Sequence, residues 1–284
     1  MMLYSRFAFG KQFIKSVCRI IALFLAAFLC FSLCACTGKE EENTAADETT
    51  AAEPDPAYGS VRAEDRDDGV LRVLLDAGHG FGDVGCQSPY GFDEKDLTVI
   101  FAKLLAKELE GRGAEVYLTH DGENRPTEAG ITAAADRLGI SYDAEKIVEN
   151  EIFSAYERSV WENITDAEKH IDLFVSLHIN SIEDAPQCSG FSVDWYEGSP
   201  QAQLLSELGE NLRERLENEY SKEVRLFSDS LEEAYIVNKF TNVPSVLIEL
   251  GYATNEDDAV CLQNPEWQKS VCATLAEVIT ETVH

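Results

Sequence analysis

An α/β domain is the fold class this sequence predicts, and three observations carry it. Leu71–Leu75, Asp172–His178 and Ser245–Leu250 are short, near-continuous apolar runs, the pattern of strands covered on both faces of a parallel sheet. Between the first strand and the next, Asp96–Arg112 places Leu97, Ile100, Phe101, Leu104 and Leu105 at helical spacing, and Gly113 ends the run. Strand Ala114–Thr119 follows at once. A strand–helix–strand unit of this kind makes a parallel pair through a right-handed crossover.

In chain order, the first element is a leader. Arg6, Lys11, Lys15 and Arg19 precede the apolar run Ile20–Ala35, which has the length of a signal h-region rather than a membrane span. The run ends Leu33-Cys34-Ala35-Cys36, which resembles a bacterial lipobox, so cleavage before Cys36 and lipidation of its thiol are expected. A plain secretory signal or an uncleaved anchor is the alternative. Residues 36–69 are rich in Glu, Asp, Ala and Thr and too poor in large apolar residues to fold, and they read as an acidic, solvated tether. The folded domain is expected over 70–284, outside the cytoplasm.

Within that domain, Asp121–Glu157 exceeds a minimal connection. A short helix is expected through Ala129–Ser141 and a longer one over Glu145–Trp161. The preferred reading is a surface helix packed by Ile147, Ile152, Phe153 and Tyr156. The bolder one is a flap over the cleft at the strand ends, with one of its carboxylates reaching in. Phe191–Glu197 alternates like a more exposed strand. Gln201–Tyr220 reads as a helix with Leu204, Leu208, Leu212 and Leu216 four apart. The last helix has Asn264 as its cap, Pro265 in its first turn, and Trp267, Val271, Leu275 and Val278 on its apolar face.

A formal charge of −29 argues against nucleic-acid binding, which needs a basic face, and against electrostatic adhesion to anionic surfaces. Of the eight cysteines, Cys86, Cys188, Cys261 and Cys272 lie in the folded part. Four thiols in an exported domain permit two disulfides or none. A Cys86–Cys188 bond is slightly favoured, because each follows a strand that carries a candidate ligand. His120, His170 and His284 read as surface histidines.

The chemistry concentrates at strand ends. The first strand runs into Asp76-Ala77-Gly78-His79-Gly80, Glu94 opens the next helix, His178 ends a third strand, and Glu249 lies in the apolar strand Ser245–Leu250. Open α/β sheets place their sites just beyond the carboxyl ends of strands. Two His and one Glu can hold a catalytic zinc with one position open, and a second Glu can serve as its base. Each residue alone has an ordinary explanation. A His after a strand is commonly a loop residue, and a Glu at a helix start commonly complements the dipole. Glu249 is the hardest to dismiss, since an unpaired carboxylate in an apolar strand is costly.

Taken together, Leu-Asp-Ala-Gly-His-Gly at 75–80, Glu94-Lys95-Asp96, Glu157-Arg158, Ser-Leu-His-Ile-Asn at 176–180 and the run from Val243 to Tyr252 resemble the zinc-dependent N-acetylmuramoyl-L-alanine amidases of bacterial cell walls, family 3 type. The resemblance implies a single three-layer domain, with a twisted, mostly parallel sheet between helices and the zinc site at the C-terminal strand ends. It implies Zn2+ on His79, Glu94 and His178, with Glu249 as catalytic carboxylate. Asn180 and Arg158 are carried over as substrate-binding residues. The implied substrate is peptidoglycan, cut at the amide between N-acetylmuramic acid and L-alanine. Ala77, Ile179 and His120 depart from the common pattern, where Pro, Ala and Arg are frequent. No wall-binding repeat accompanies the domain, so the lipid on Cys36 would be the visible membrane localiser. The sequence names no activating partner. A zinc peptidase and a non-catalytic wall-binding module are the competing readings.

Overall fold

The computed structural model describes residues 68–283. The leader, Cys36, most of the tether and His284 lie outside the described residues. Strands β1 (Arg72–Ala77), β2 (Glu115–Leu118), β3 (Leu173–Asn180), β4 (Phe191–Tyr196), β5 (Val224–Asp229) and β6 (Ser245–Tyr252) form one sheet in the order β2-β1-β3-β6-β4-β5. All neighbours in it are parallel except β4 and β6. The helices are α1 (Glu94–Glu110), α2 (Glu128–Leu138), α3 (Ala155–Lys169), α4 (Ala202–Tyr220), α5 (Ile236–Lys239), α6 (Glu256–Leu262) and α7 (Pro265–Val283). The α/β class and the mostly parallel sheet between helices are as expected.

The apolar residues of β1, β3, β6 and β4 that alternate onto one face (Val73, Leu75, Val175, Leu177, Ile248, Val193) meet Phe101 and Leu105 of α1, Leu208 and Leu212 of α4, and Val271 and Leu275 of α7 in the main core. Fully burying such side chains contributes about 1.5–3 kcal/mol each. The stripe of α4 runs through Leu205, Leu208, Leu212 and Leu216, with Leu205 taking the place assigned to Leu204. On the opposite face Leu74, Phe174 and Leu247 pack with Val237 of α5, and α2 and α3 build a further cluster around Ile131, Phe153, Tyr156 and Ile164.

Helix α1 begins at Glu94, which opens it as expected, two residues ahead of the run read as helical from Asp96. The helix expected over Glu145–Trp161 is instead a single 3-10 turn, Ala144–Lys146, and then α3 from Ala155. The cause is a capping box. Ser154 Oγ accepts from Glu157 N at 3.2 Å while Glu157 Oε2 accepts from Ser154 N at 2.8 Å, which starts the helix there. Phe153 and Tyr156 reach the core as expected, whereas Ile152 stays exposed.

Other expectations are corrected. Cys86, Cys188, Cys261 and Cys272 are all free thiols. Cys86 Sγ turns inward and donates to Ile179 O at 3.4 Å rather than joining Cys188. Neither His120 nor His170 is a surface residue. His120 Nε2 bonds Ala77 O at 2.8 Å, and its ring lies edge-on to Phe81 and Phe153. His170, also buried, caps α3 in a left-handed conformation.

Candidate metal centre

His79, Glu94 and His178 converge. One donor atom from each lies within 4.8 Å of the others. The topology brings this about: β1 and β3 are parallel neighbours, so their carboxyl ends, and the residues that follow β1, emerge on one rim. His79 Nε2 is 3.3 Å from Glu94 Oε2, and His178 Nδ1 is 3.0 Å from Glu94 Oε1. The two imidazoles meet nearly edge-on, with centroids 4.9 Å apart.

The backbone is shaped around this cluster. A Cβ on Gly78 would stand 2.5 Å from the His178 ring, and one on Gly85 would stand 2.6 Å from Glu94 Oε2, so neither position accepts a side chain. Glu94 is further oriented by two backbone donors, Ile179 N to Oε1 and Cys86 N to Oε2, each at 2.9 Å. Burial works to raise the Glu94 pKa, but hydrogen bonds from His178 and His79 outweigh it and hold the carboxylate ionised. Burial lowers His178 and keeps it neutral, the form a metal needs. His79 is held up by Glu94 and Asp83 against its own burial.

Asp83 was not anticipated. Its Oδ2 lies 2.8 Å from His79 Nδ1, which sets the tautomer and aims Nε2 at the cluster. The signal was a carboxylate four residues beyond a Gly-flanked His. This donor set suits a divalent zinc ion: two imidazoles and an oriented carboxylate over an open cavity, with a hydrogen-bonded carboxylate behind one imidazole.

A cavity of about 410 Å³ opens over the cluster. Glu249, the Cα partner of His178 across β3–β6, reaches it from the sheet. It is 7% exposed, and its Oε2 has no hydrogen-bond partner. Burial first, then the charges of Glu94 and Asp194, push its pKa well above the carboxylate range. Asn180 and Ser181 are among its polar lining, and Ala155, Tyr235, Ile236 and Val237 among its apolar lining.

Arg158 borders the same cavity but is 3% exposed. Its Nη1 lies 3.4 Å from Asp76 Oδ2 and donates to Ala77 O at 3.2 Å. Asp76 is fully buried and also accepts from Thr119 Oγ1 and Ser176 Oγ, each at 2.7 Å. This polar node ties β1, β2, β3 and α3 together beneath the metal loop.

The insertion brings no carboxylate into the cluster. It braces the loop from behind. Gly82 N donates to Glu151 O at 2.8 Å, Phe81 and Ile152 form a β-bridge, and the Arg125 guanidinium lies 5.4 Å from the Phe81 ring and 5.5 Å from that of Phe153.

The fold and donor set describe an α/β domain that carries, at the carboxyl ends of its strands, a three-donor cluster able to hold a metal ion. Residues 73–281 match the N-acetylmuramoyl-L-alanine amidase family, and the chain belongs to that family. Among curated proteins it is similar to a probable cell wall amidase, LytH, of Staphylococcus aureus, with 27% identity over 196 residues, 68% of this chain and 51% of the relative. The chain thus spans about half the length of the curated relatives it matches. Among solved structures it resembles the amidase AmiC2 of Nostoc punctiforme (25% identity, TM-score 0.53, 78% of this chain and 98% of that one). It also resembles the N-acetylmuramoyl-L-alanine amidase of Clostridium difficile 630 (18% identity, TM-score 0.57, 75% and 96%), which shows the shared fold.

Proposed function

We propose that this chain hydrolyses the amide between N-acetylmuramic acid and L-alanine in peptidoglycan, with zinc held by His79, Glu94 and His178. The observation that carries the reading is Glu249: a buried carboxylate with an unpartnered oxygen, at the edge of a cavity that exposes a three-donor cluster. Zinc, when bound, polarises the scissile carbonyl and acidifies water. Glu249 takes a proton from the attacking water and returns it to the leaving amine of L-alanine; its burial raises its pKa, the direction that favours holding the proton between the two steps. Asn180, at the cavity wall, is assigned to orient the substrate. Arg158, carried over as substrate-binding, is assigned through its bond to Ala77 O to position the His79 loop.

The test is mass spectrometry of peptidoglycan digested by the protein with and without chelator. Stem peptides with a free L-alanine amine are expected, together with muramic acid whose lactyl carboxyl is free. Chelation is expected to stop their release and zinc to restore it. Cleavage within the stem peptide would replace this reading with a peptidase. We further propose that Cys36 carries lipid and that the enzyme works outside the cytoplasm, tethered to a membrane. Unchanged processing and membrane partition of Cys36→Ser would refute the anchor.

A further inference from the structure

A second cavity, also about 410 Å³, lies next to the metal-centre cavity, and Ser181 lines both. Its other lining residues are Gln87, Ser88, Pro89, Tyr90, Glu183, Pro186 and Thr254. Half of its lining residues, 87–90, belong to the hairpin that links the His79 loop to Glu94. Gln87 and Asp93 bridge across this hairpin, and Gln87 Nε2 donates to Asp93 Oδ1 at 3.0 Å. Ser88 N donates to Phe92 O at 2.9 Å, and Gly91 N closes the turn onto Ser88 O at 3.1 Å. Ser88 Oγ donates to Ala253 O at 2.7 Å and accepts from Tyr90 N at 3.1 Å, anchoring the turn to the end of β6. Gly91 supplies the left-handed φ of 91° that the turn requires.

The result is a rigid turn that presents Tyr90, 40% exposed, beside the cleft. A large aromatic ring held on a pre-organised turn is a binding platform at low entropic cost. The charge of the walls selects what can lie there. Glu183 is the sole ionisable acid or base among the lining residues apart from Tyr90, and no Lys or Arg faces the cavity. A stem peptide carries carboxylates, which find no Lys or Arg among these lining residues and meet the like charge of Glu183. A glycan strand is neutral along its pyranose rings, rich in hydroxyls, and has C–H faces that pack on an aromatic ring.

We infer that this cavity is a subsite for the sugar adjoining the cut muramoyl unit, with the pyranose face on Tyr90 and its hydroxyls toward Ser181, Glu183 and Thr254. The assignment rests on the amidase reading and gives it a direction. The glycan runs past Ser181 to Tyr90, and the stem peptide leaves toward the apolar wall of Tyr235 and Ile236.

The test uses the full chain loaded with zinc and two substrates bearing the same stem peptide, a muramoyl monosaccharide and a tetrasaccharide of alternating N-acetylglucosamine and N-acetylmuramic acid. Tyr90→Ala is expected to raise KM for the tetrasaccharide about tenfold, ~1.4 kcal/mol, with kcat held and a much smaller loss on the monosaccharide. Tyr90→Phe is expected to keep most of the preference, because the ring face carries it. Equal losses on both substrates, or none on the tetrasaccharide, overturn the subsite. A loss that grows with stem-peptide length instead gives the cavity to the peptide. Calorimetric binding of the peptide-free tetrasaccharide, expected for the unmodified protein and weakened in Tyr90→Ala, reads the subsite independently of catalysis. If neither substrate is cut while this binding survives, the amidase reading fails and the glycan subsite stands; absence of that binding overturns the subsite.

Discussion

Replacing Arg158 with Met tests the polar node beneath the metal loop. Met keeps the length and apolar stem of the side chain and removes its charge. Asp76 is then a fully buried carboxylate that has lost its guanidinium at 3.4 Å and keeps two hydroxyl donors. Removing one partner of a buried ion pair costs about 3–5 kcal/mol, and the two hydroxyls place this case near the lower end. At ~3 kcal/mol, a domain of this size should melt roughly 6–12 °C lower. Urea unfolding followed by tryptophan fluorescence, with chelator present throughout, measures the cost without interference from bound metal. The double variant Asp76→Asn/Arg158→Met is expected to recover part of the loss, giving a coupling of about 1–3 kcal/mol between the two sites. A cost below ~1 kcal/mol for Arg158→Met, the range of an exposed pair, would refute the reasoning. So would a double variant showing no coupling.

Three further outcomes are expected. Glu249→Gln keeps the volume and the bound metal but loses about 10²–10⁴ in turnover, and near-normal rates on muropeptides would remove the base from Glu249. Asp83→Ala, which frees His79 Nδ1, weakens zinc affinity roughly 10–100-fold in a chelator competition, and unchanged affinity would leave Asp83 without a role. Asp194, buried on β4, has its pKa raised to about 7, chiefly by burial. Its folded pKa therefore exceeds its unfolded one, so the penalty is absent near pH 4, grows as pH rises toward 7, and is complete above it. Asp194→Asn should match the parent near pH 4 and exceed it at pH 8 by up to about 4 kcal/mol, and equal stability at both pH values would sink the idea.

The metal cluster was legible because apolar strands interrupted by single His or Glu residues announce chemistry at their ends, and His79, Glu94 and His178 do meet. The start of α1 was harder to place. Its apolar stripe begins at Leu97, so the polar first turn that holds Glu94 has no hydrophobic signature. Edge strand β5 escaped notice because it is buried at Val224 and half or fully exposed beyond it, which leaves no run to read. The Asp76 node could not be seen at all. Its partners Thr119 and Ser176 lie 43 and 100 residues away, and a lone Asp in an apolar strand does not name them. His120 looked like a surface residue because local sequence says nothing of the Phe81 and Phe153 rings packed edge-on to it. Pairing of Cys86 with Cys188 failed for a related reason, since which way a thiol turns depends on contacts made only after folding.

Phe81 sits at a φ of 55°, a conformation that glycine adopts without strain and that a bulky L-residue resists by about 1–2 kcal/mol. Glycine there would relax the main chain. It would also delete the ring that Arg125 and His120 pack against. Burying such a ring fully contributes about 1.5–3 kcal/mol, a range that overlaps the strain, so the contacts of the half-buried Phe81 ring oppose it. Main-chain comfort and side-chain grip therefore pull against each other at a single position two residues from a candidate metal ligand, and the chain keeps the ring. A related chain with glycine at this position would hold its insertion to the histidine loop by main-chain contacts alone, such as the bond from Gly82 N to Glu151 O, and would lose the aromatic part of the grip.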